Sequence, residues 1–163
     1  MILFHGSNVV VSEPKLVSQN RFLDFGFGFY TTTNMAQAIS FADKVFKRRR
    51  ECGKIISIYE LDEQTAFAEC SLLRFDAPDE AWLDFVFKNR SGQYEGGAYD
   101  LVYGPVANDN VYATFTLYSA GALTKEQTLE ALKVKKLYDQ LVLASEKALG
   151  YLKFVGTVPE VEF

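Results

Sequence analysis

Between residues 34 and about 50 the apolar positions recur every three or four residues. Ala38, Phe41, Ala42, Val45 and Phe46 share one face with charges opposite, the mark of an amphipathic helix. Asn34 stands where an N-cap belongs, Gln37 three residues on completes a capping box, and Gly53 supplies the stop. Elsewhere the apolar runs are short. Residues 2–4 predict a first strand with His5-Gly6-Ser7 at its exit, and residues 9–11 extend it or begin a turn. Residues 54–61, rich in β-branched side chains, predict a buried strand, and 72–75 a weaker one. After Asp76 and Pro78, Trp82, Phe85, Val86 and Asn89 mark a second amphipathic helix. A glycine loop follows, then a strand over 99–105 closed by Gly104-Pro105.

Residues 111–119 carry two patterns. Val111, Ala113, Phe115 and Leu117 alternate as in a strand, but Gly121 and a capping box of Thr124 and Gln127 favour a helical hairpin, which is the expectation. Strand 137–143, a helix over 146–152 capped by Ser145, and a last strand or tail over 154–158 complete the chain. Without repeats or linkers, residues 1–163 read as one α+β domain with a helical insertion around 106–135.

The stretch Asp24-Phe25-Gly26-Phe27-Gly28-Phe29-Tyr30 leads into the first long helix. Its phenylalanines alternate at the period of a strand with one buried face, and its two glycines allow a close backbone approach. A glycine-rich turn, a short strand and a helix start suit a flat ligand lying against Tyr30. The stretch is not a dinucleotide fingerprint, because the third glycine, the preceding strand and the later acid are not in place.

Composition narrows the partners. A net charge of −4 and a pI near 5.1 argue against binding phosphate backbones over a broad surface. Lys47-Arg48-Arg49-Arg50 reads as a solvated helix end that complements the dipole, with an anionic partner as the alternative. Cys52 and Cys70 are too few for a disulfide framework and lack metal-ligand spacing, so buried or inert thiols are expected. One histidine excludes a poly-histidine metal site, and no metal is expected. No signal block or run of ~18–20 apolar residues is present, so the expectation is a cytoplasmic protein with no membrane partner.

Three segments in order resemble the ADP-ribosyltransferase superfamily, in its poly-ADP-ribose-polymerase-like and diphtheria-toxin-like half. They are His5-Gly6-Ser7 at a strand end, Phe25-Gly26-Phe27-Gly28-Phe29-Tyr30 with Phe41 one helix later, and residues 137–143 followed by Ala148-Leu149-Gly150-Tyr151-Leu152. Within the superfamily the chain is most similar to small bacterial members, some of them toxin-like. The resemblance implies a split pair of small twisted, mostly antiparallel sheets around an NAD cleft, with helices outside. It implies NAD as substrate, transfer to a protein or nucleic-acid acceptor, and a neutralising antitoxin as a further partner. His5, Tyr30 and Gln140 would be the catalytic residues, and His5, Gly6, Ser7, Gly28, Tyr30 and Phe41 the NAD-binding ones.

The sequence departs from the family at two places. Gln140 stands where the family carries a glutamate, and Ala38 where the polymerase branch has a serine. An amide still makes hydrogen bonds, but it supplies neither negative charge nor a general base. Mono-ADP-ribosyl transfer, NAD hydrolysis, and a catalytically weak NAD- or nicotinamide-binding module are therefore the competing readings. Asp139 beside Gln140 should face the other side of its strand. Asp24, Asp100, Asn108, Asp109 and Glu146 suit turn or helix-end roles. Part of residues 76–134, a region with Trp82, Asn89 and Arg90, would line the acceptor side or bind a protein partner, Arg90 either pairing with a phosphate or standing as a solvated surface charge.

Overall fold

The computed structural model describes residues 1–17, 23–50, 53–106, 109–133 and 138–159. Seven strands form one mixed sheet. They are β1 (Ile2–Ser7), β2 (Phe29–Thr32), β3 (Ile55–Leu61), β4 (Leu72–Arg74), β5 (Leu101–Pro105), β6 (Asp139–Leu143) and β7 (Leu152–Pro159). Their order across the sheet is β4-β5-β6-β2-β1-β3-β7, and only the β4–β5 pair is parallel. The six helices among the described residues are α1 (Met35–Arg49), α2 (Glu63–Glu69), α3 (Glu80–Arg90), α4 (Asp109–Ser119), α5 (Lys125–Lys133) and α6 (Glu146–Leu149). None is long and apolar enough to cross a membrane.

Strand alternation sorts the core into two layers. On β6, Leu141 and Leu143 join Leu3, Phe29, Tyr59 and Leu101 on one face, beneath α2 and α6. Val142 joins Val102 on the other, beneath α3, α4 and α5. Trp82 is fully buried in that second layer, and its indole N–H donates to Pro105 O at 3.0 Å. It is therefore a core anchor and not part of an acceptor surface. Helix α1 covers the same face further along, where Ala38 and Ala42 pack with Ile56. Gly6 on β1 makes that contact possible, because a Cβ there would lie 2.0 Å from Ala38 O.

Several expectations change. The sheet is continuous where a split pair was expected. Its weak joint lies between β1 and β2, which share the single register pair Phe4↔Thr32, whereas β1 and β3 share six. Phe25, Phe27 and Phe29 do not form one strand: β2 begins only at Phe29, because Gly26 at φ 77 turns the chain before it. Phe25 and Phe29 are buried in different layers and Phe27 is exposed. Helix α1 ends at Arg50, which takes the left-handed conformation (φ 54) and donates its N–H to Phe46 O, so Gly53 is not the stop. At its start Asn34 Oδ1 accepts from Gln37 N, but Gln37 Oε1 binds the Thr32 hydroxyl and leaves the capping box half-made. Helix α6 stops at Leu149, and Tyr151-Leu152 turns into β7, an edge strand on β3. Helix α2 was not anticipated.

The expected hairpin is present as α4 and α5. The reciprocal bonds Thr124 N to Gln127 Oε1 (2.9 Å) and Gln127 N to Thr124 Oγ1 (3.2 Å) start α5. Cys70 is buried, which raises its thiol pKa, while Cys52, Asn108 and Leu137 lie outside the described residues.

The α1–β1 contact yields a stability test. Gly6→Ala should cost about 3 kcal/mol or more, because the atoms it meets are main chain and cannot rotate away. Gly156→Ala on β7, where a Cβ meets nothing within 4 Å, should change stability by under about 0.5 kcal/mol or raise it. Urea unfolding of both variants measures the contrast, and equal midpoints would remove the close packing of α1 on Gly6.

Candidate functional site

The site is built on the β1–β2 joint. Beyond Phe4 and Thr32 the two strands share no register pair, and the His5 side chain crosses between them. Its Nδ1 lies 2.8 Å from Tyr30 O. A carbonyl oxygen only accepts, so Nδ1 carries the proton and Nε2 keeps its lone pair. The ring lies tilted against Phe29, with centroids 4.5 Å apart. Burial lowers the imidazole pKa, and the bond to Tyr30 opposes that shift without cancelling it. His5 is thus held neutral, in one tautomer, with an acceptor nitrogen to offer.

Tyr30 lies on the same strand, but its hydroxyl is already used. It donates to Gly26 O at 2.7 Å and accepts from Phe25 N at 3.0 Å, closing the glycine turn on itself. Burial raises the phenol pKa far above its ordinary value. The turn is also tied to α3. Asp24 pairs with Arg90, whose guanidinium stacks 5.1 Å from the Phe115 ring centre, and a Cβ on Gly26 would lie 2.8 Å from Asn89 Oδ1. Arg90, read from the sequence as a phosphate partner or a solvated surface charge, is instead engaged inside the fold. Gly28 sits so close to β6 that a Cβ would be 2.5 Å from Val142 Cγ1. Close packing thus accounts for Gly6 and Gly28, and the left-handed φ of 77 for Gly26.

Gln140 lies on β6, opposite Thr32 of β2 and Gly104 of β5. It is 6% exposed, and its Nε2 is buried without a hydrogen-bond partner. Leaving a buried amide donor unpaired costs ~1–3 kcal/mol, so an acceptor arriving there would be well rewarded. The Thr32 hydroxyl beside it lies 2.8 Å from Gln37 Oε1 and 2.9 Å from Asp139 O, which share its one proton. Asp139 faces the other layer, as expected, where its carboxylate accepts from Tyr103 O–H at 3.0 Å. That bond, with burial as the larger cause, pushes the Tyr103 phenol up to about 12.

His5, Tyr30 and Gln140 thus stand on three adjacent strands, β1, β2 and β6. Tyr30 and Gln140 share the face of Val142, whereas His5 lies with Phe29 on the opposite face. The β1–β2 joint, with its single register pair, lies between the two. Ser7 ends β1, and Phe41 is 48% exposed on α1 rather than buried in the core. Sequence reasoning missed Thr32, Gln37 and the Asp24–Arg90 tie. Thr32 lies in the run Thr31-Thr32-Thr33 directly after Tyr30, whereas Asp24 and Arg90 are 66 residues apart and leave no local mark. A separate groove of about 740 Å³, lined by Leu61, Glu63, Phe67, Tyr151 and Lys153 among others, lies elsewhere, where Ile2 pairs with Glu60. The described residues hold no group of three or more His, Cys, Asp or Glu side chains placed to bind a metal.

Residues 1–154 match the model of a family described as a protein of unknown function, DUF3990. The chain belongs to this family. No curated protein matches it. The DUF3990 match runs from β1 into β7, so His5, the glycine turn and Gln140 all fall inside it.

The His5 geometry fixes a pH dependence. The unfolded chain takes up the imidazole proton near pH 6.5 and the folded protein only below that. Between the two values the unfolded state holds more protons, so stability falls as pH falls through this window. With a single histidine in the chain, His5→Gln should remove that part of the slope between about pH 7.5 and 5.5. Urea midpoints measured across the range decide it, and parallel curves for parent and variant would contradict a buried neutral His5.

Proposed function

We propose that the chain is an NAD-dependent mono-ADP-ribosyltransferase of the small bacterial, toxin-like kind, acting on a protein or nucleic-acid acceptor. The observation that carries this reading is the His5 Nδ1–Tyr30 O bond. It joins the His-Gly-Ser segment to the glycine-turn segment, and β2 in turn pairs with the strand of Gln140. The strands that carry parts of the three segments resembling the superfamily, β1, β2 and β6, are neighbours in the sheet. The single-pair joint also divides the sheet into β4-β5-β6-β2 and β1-β3-β7, which we read as the counterpart of the split pair of sheets.

In this reading NAD enters at the seam. Loss of nicotinamide passes through an oxocarbenium-like transition state, as glycoside hydrolysis does. His5 Nε2 accepts from a ribose hydroxyl, and the Gln140 amide donates to a ligand oxygen, satisfying its buried N–H. Gln140 is neutral and does not stabilise developing positive charge as a carboxylate would. That favours a second reading, an NAD- or nicotinamide-binding module with little turnover.

Gln140→Glu separates the two. A carboxylate facing the reacting carbon should raise nicotinamide release from NAD by up to roughly 10²–10³-fold, read by chromatography of purified parent and variant. Millimolar NAD should raise the melting temperature of both. Absence of stabilisation by NAD or nicotinamide would overturn the proposal. A variant that folds and binds NAD but releases nicotinamide no faster would take Gln140 out of the site.

A further inference from the structure

Charge is unevenly distributed along this acidic chain. Residues 44–54 hold six of the seventeen lysines and arginines but one of the twenty-one acids, a local charge of +5; the remaining residues carry −9. The structure concentrates this charge at the free end of α1. Asp43 takes up Lys47 at 2.5 Å and Lys54 at 2.8 Å, so the carboxylate of α1's last turns is already paired. Arg48, Arg49 and Arg50 are exposed, and among the described residues their side chains meet no acid. Arg50 occupies the left-handed region at φ 54, a conformation that a residue with a side chain enters at a cost. Helix-dipole complementarity, worth ~0.3–1 kcal/mol per cation, is met by one or two charges and leaves the third arginine unexplained.

The face leading to these arginines carries an exposed ring. Phe41, Lys44 and Arg48 stand at i, i+3 and i+7 on α1, all on its solvent side. The apolar side of the helix, Ala38, Ala42 and Val45, is buried against the sheet, so α1 has no free apolar face to lay in a lipid surface. Cations interleaved with an exposed aromatic ring suit a chain of phosphates bearing flat bases: guanidiniums bind phosphate oxygens and the ring stacks on a base.

We propose that the C-terminal half of α1, with Phe41, Lys44, Arg48, Arg49 and Arg50, is a nucleic-acid binding face. The site needs no NAD and is independent of the β1–β2 seam. Its affinity is set by counterion release, so three arginine–phosphate contacts on a single strand give a salt slope near −2.

Fluorescence anisotropy with a labelled single-stranded DNA of about 20 nucleotides, and with its duplex, tests this in NAD-free buffer. The parent should bind at about 50 mM salt and lose affinity steeply as salt rises. Arg48→Gln with Arg49→Gln and Arg50→Gly should weaken binding at least about tenfold and flatten the slope. The protein stays folded in that variant because glycine suits φ 54. Phe41→Ala should weaken binding to the single strand while leaving the slope intact, since it removes stacking and no charge. The proposal is overturned if neither DNA binds, if the arginine variant binds as the parent does, or if phosphatidylserine vesicles bind where DNA does not.

Discussion

The hydrogen bond from the His5 imidazole to Tyr30 O bears most on how the candidate site is held together. Strand β2 is four residues long and sits between β1 and β6. Towards β6 it has a register of four pairs; towards β1 it has one pair and the imidazole. Past that pair a side chain holds the sheet where a ladder of main-chain bonds would otherwise run. Tyr30 then passes the constraint on, because its hydroxyl closes the glycine turn and Asp24 ties the turn to Arg90 on α3. Disturbing His5 should therefore loosen a connected path from β1 to the aromatic layer around Phe85 and Phe115.

This arrangement assigns different tasks to residues that look alike in the sequence. Tyr30 is a brace, with its hydroxyl spent inside the protein. His5 is a brace at one nitrogen and remains open at the other. Gln140 is buried with an unspent donor, which is costly in a core and useful in a site. The opposing faces of His5 and Gln140 leave the seam between β1 and β2 as the place where one ligand would meet both.

Local features were legible in the sequence. The apolar stripe of α1, the β-branched run of β3 and the Thr124–Gln127 box each act over a few residues, and each appears within a residue or two of its expected bounds. Long-range relations were not legible. Nothing in Asp24 or Arg90 announces the other, and the continuity of the sheet depends on one Phe4–Thr32 pair. The alternation of Phe25, Phe27 and Phe29 misled because a turn at Gly26 resets the period. Helix α2 was hidden by its brevity: Asp62 caps it at Thr65 N, but Ala66 is its one buried residue. Of the site, the turn before Tyr30 was legible; His5, expected at the exit of a strand over 2–4, lies inside β1, which runs on to Ser7, and the packing duties of Gly6 and Gly28 and the spent hydroxyl of Tyr30 needed the neighbouring elements.

Because the chain has one histidine, the imidazole nitrogens of His5 can be followed without ambiguity in protein labelled with ¹⁵N. At about pH 7.5 the free protein should show a neutral ring protonated at Nδ1. Adding NAD to millimolar levels should then shift the Nε2 resonance while Nδ1 keeps its proton. A ring protonated at Nε2 instead, or an Nε2 signal that does not move with NAD, would contradict the account of the seam as the place where this protein meets its ligand.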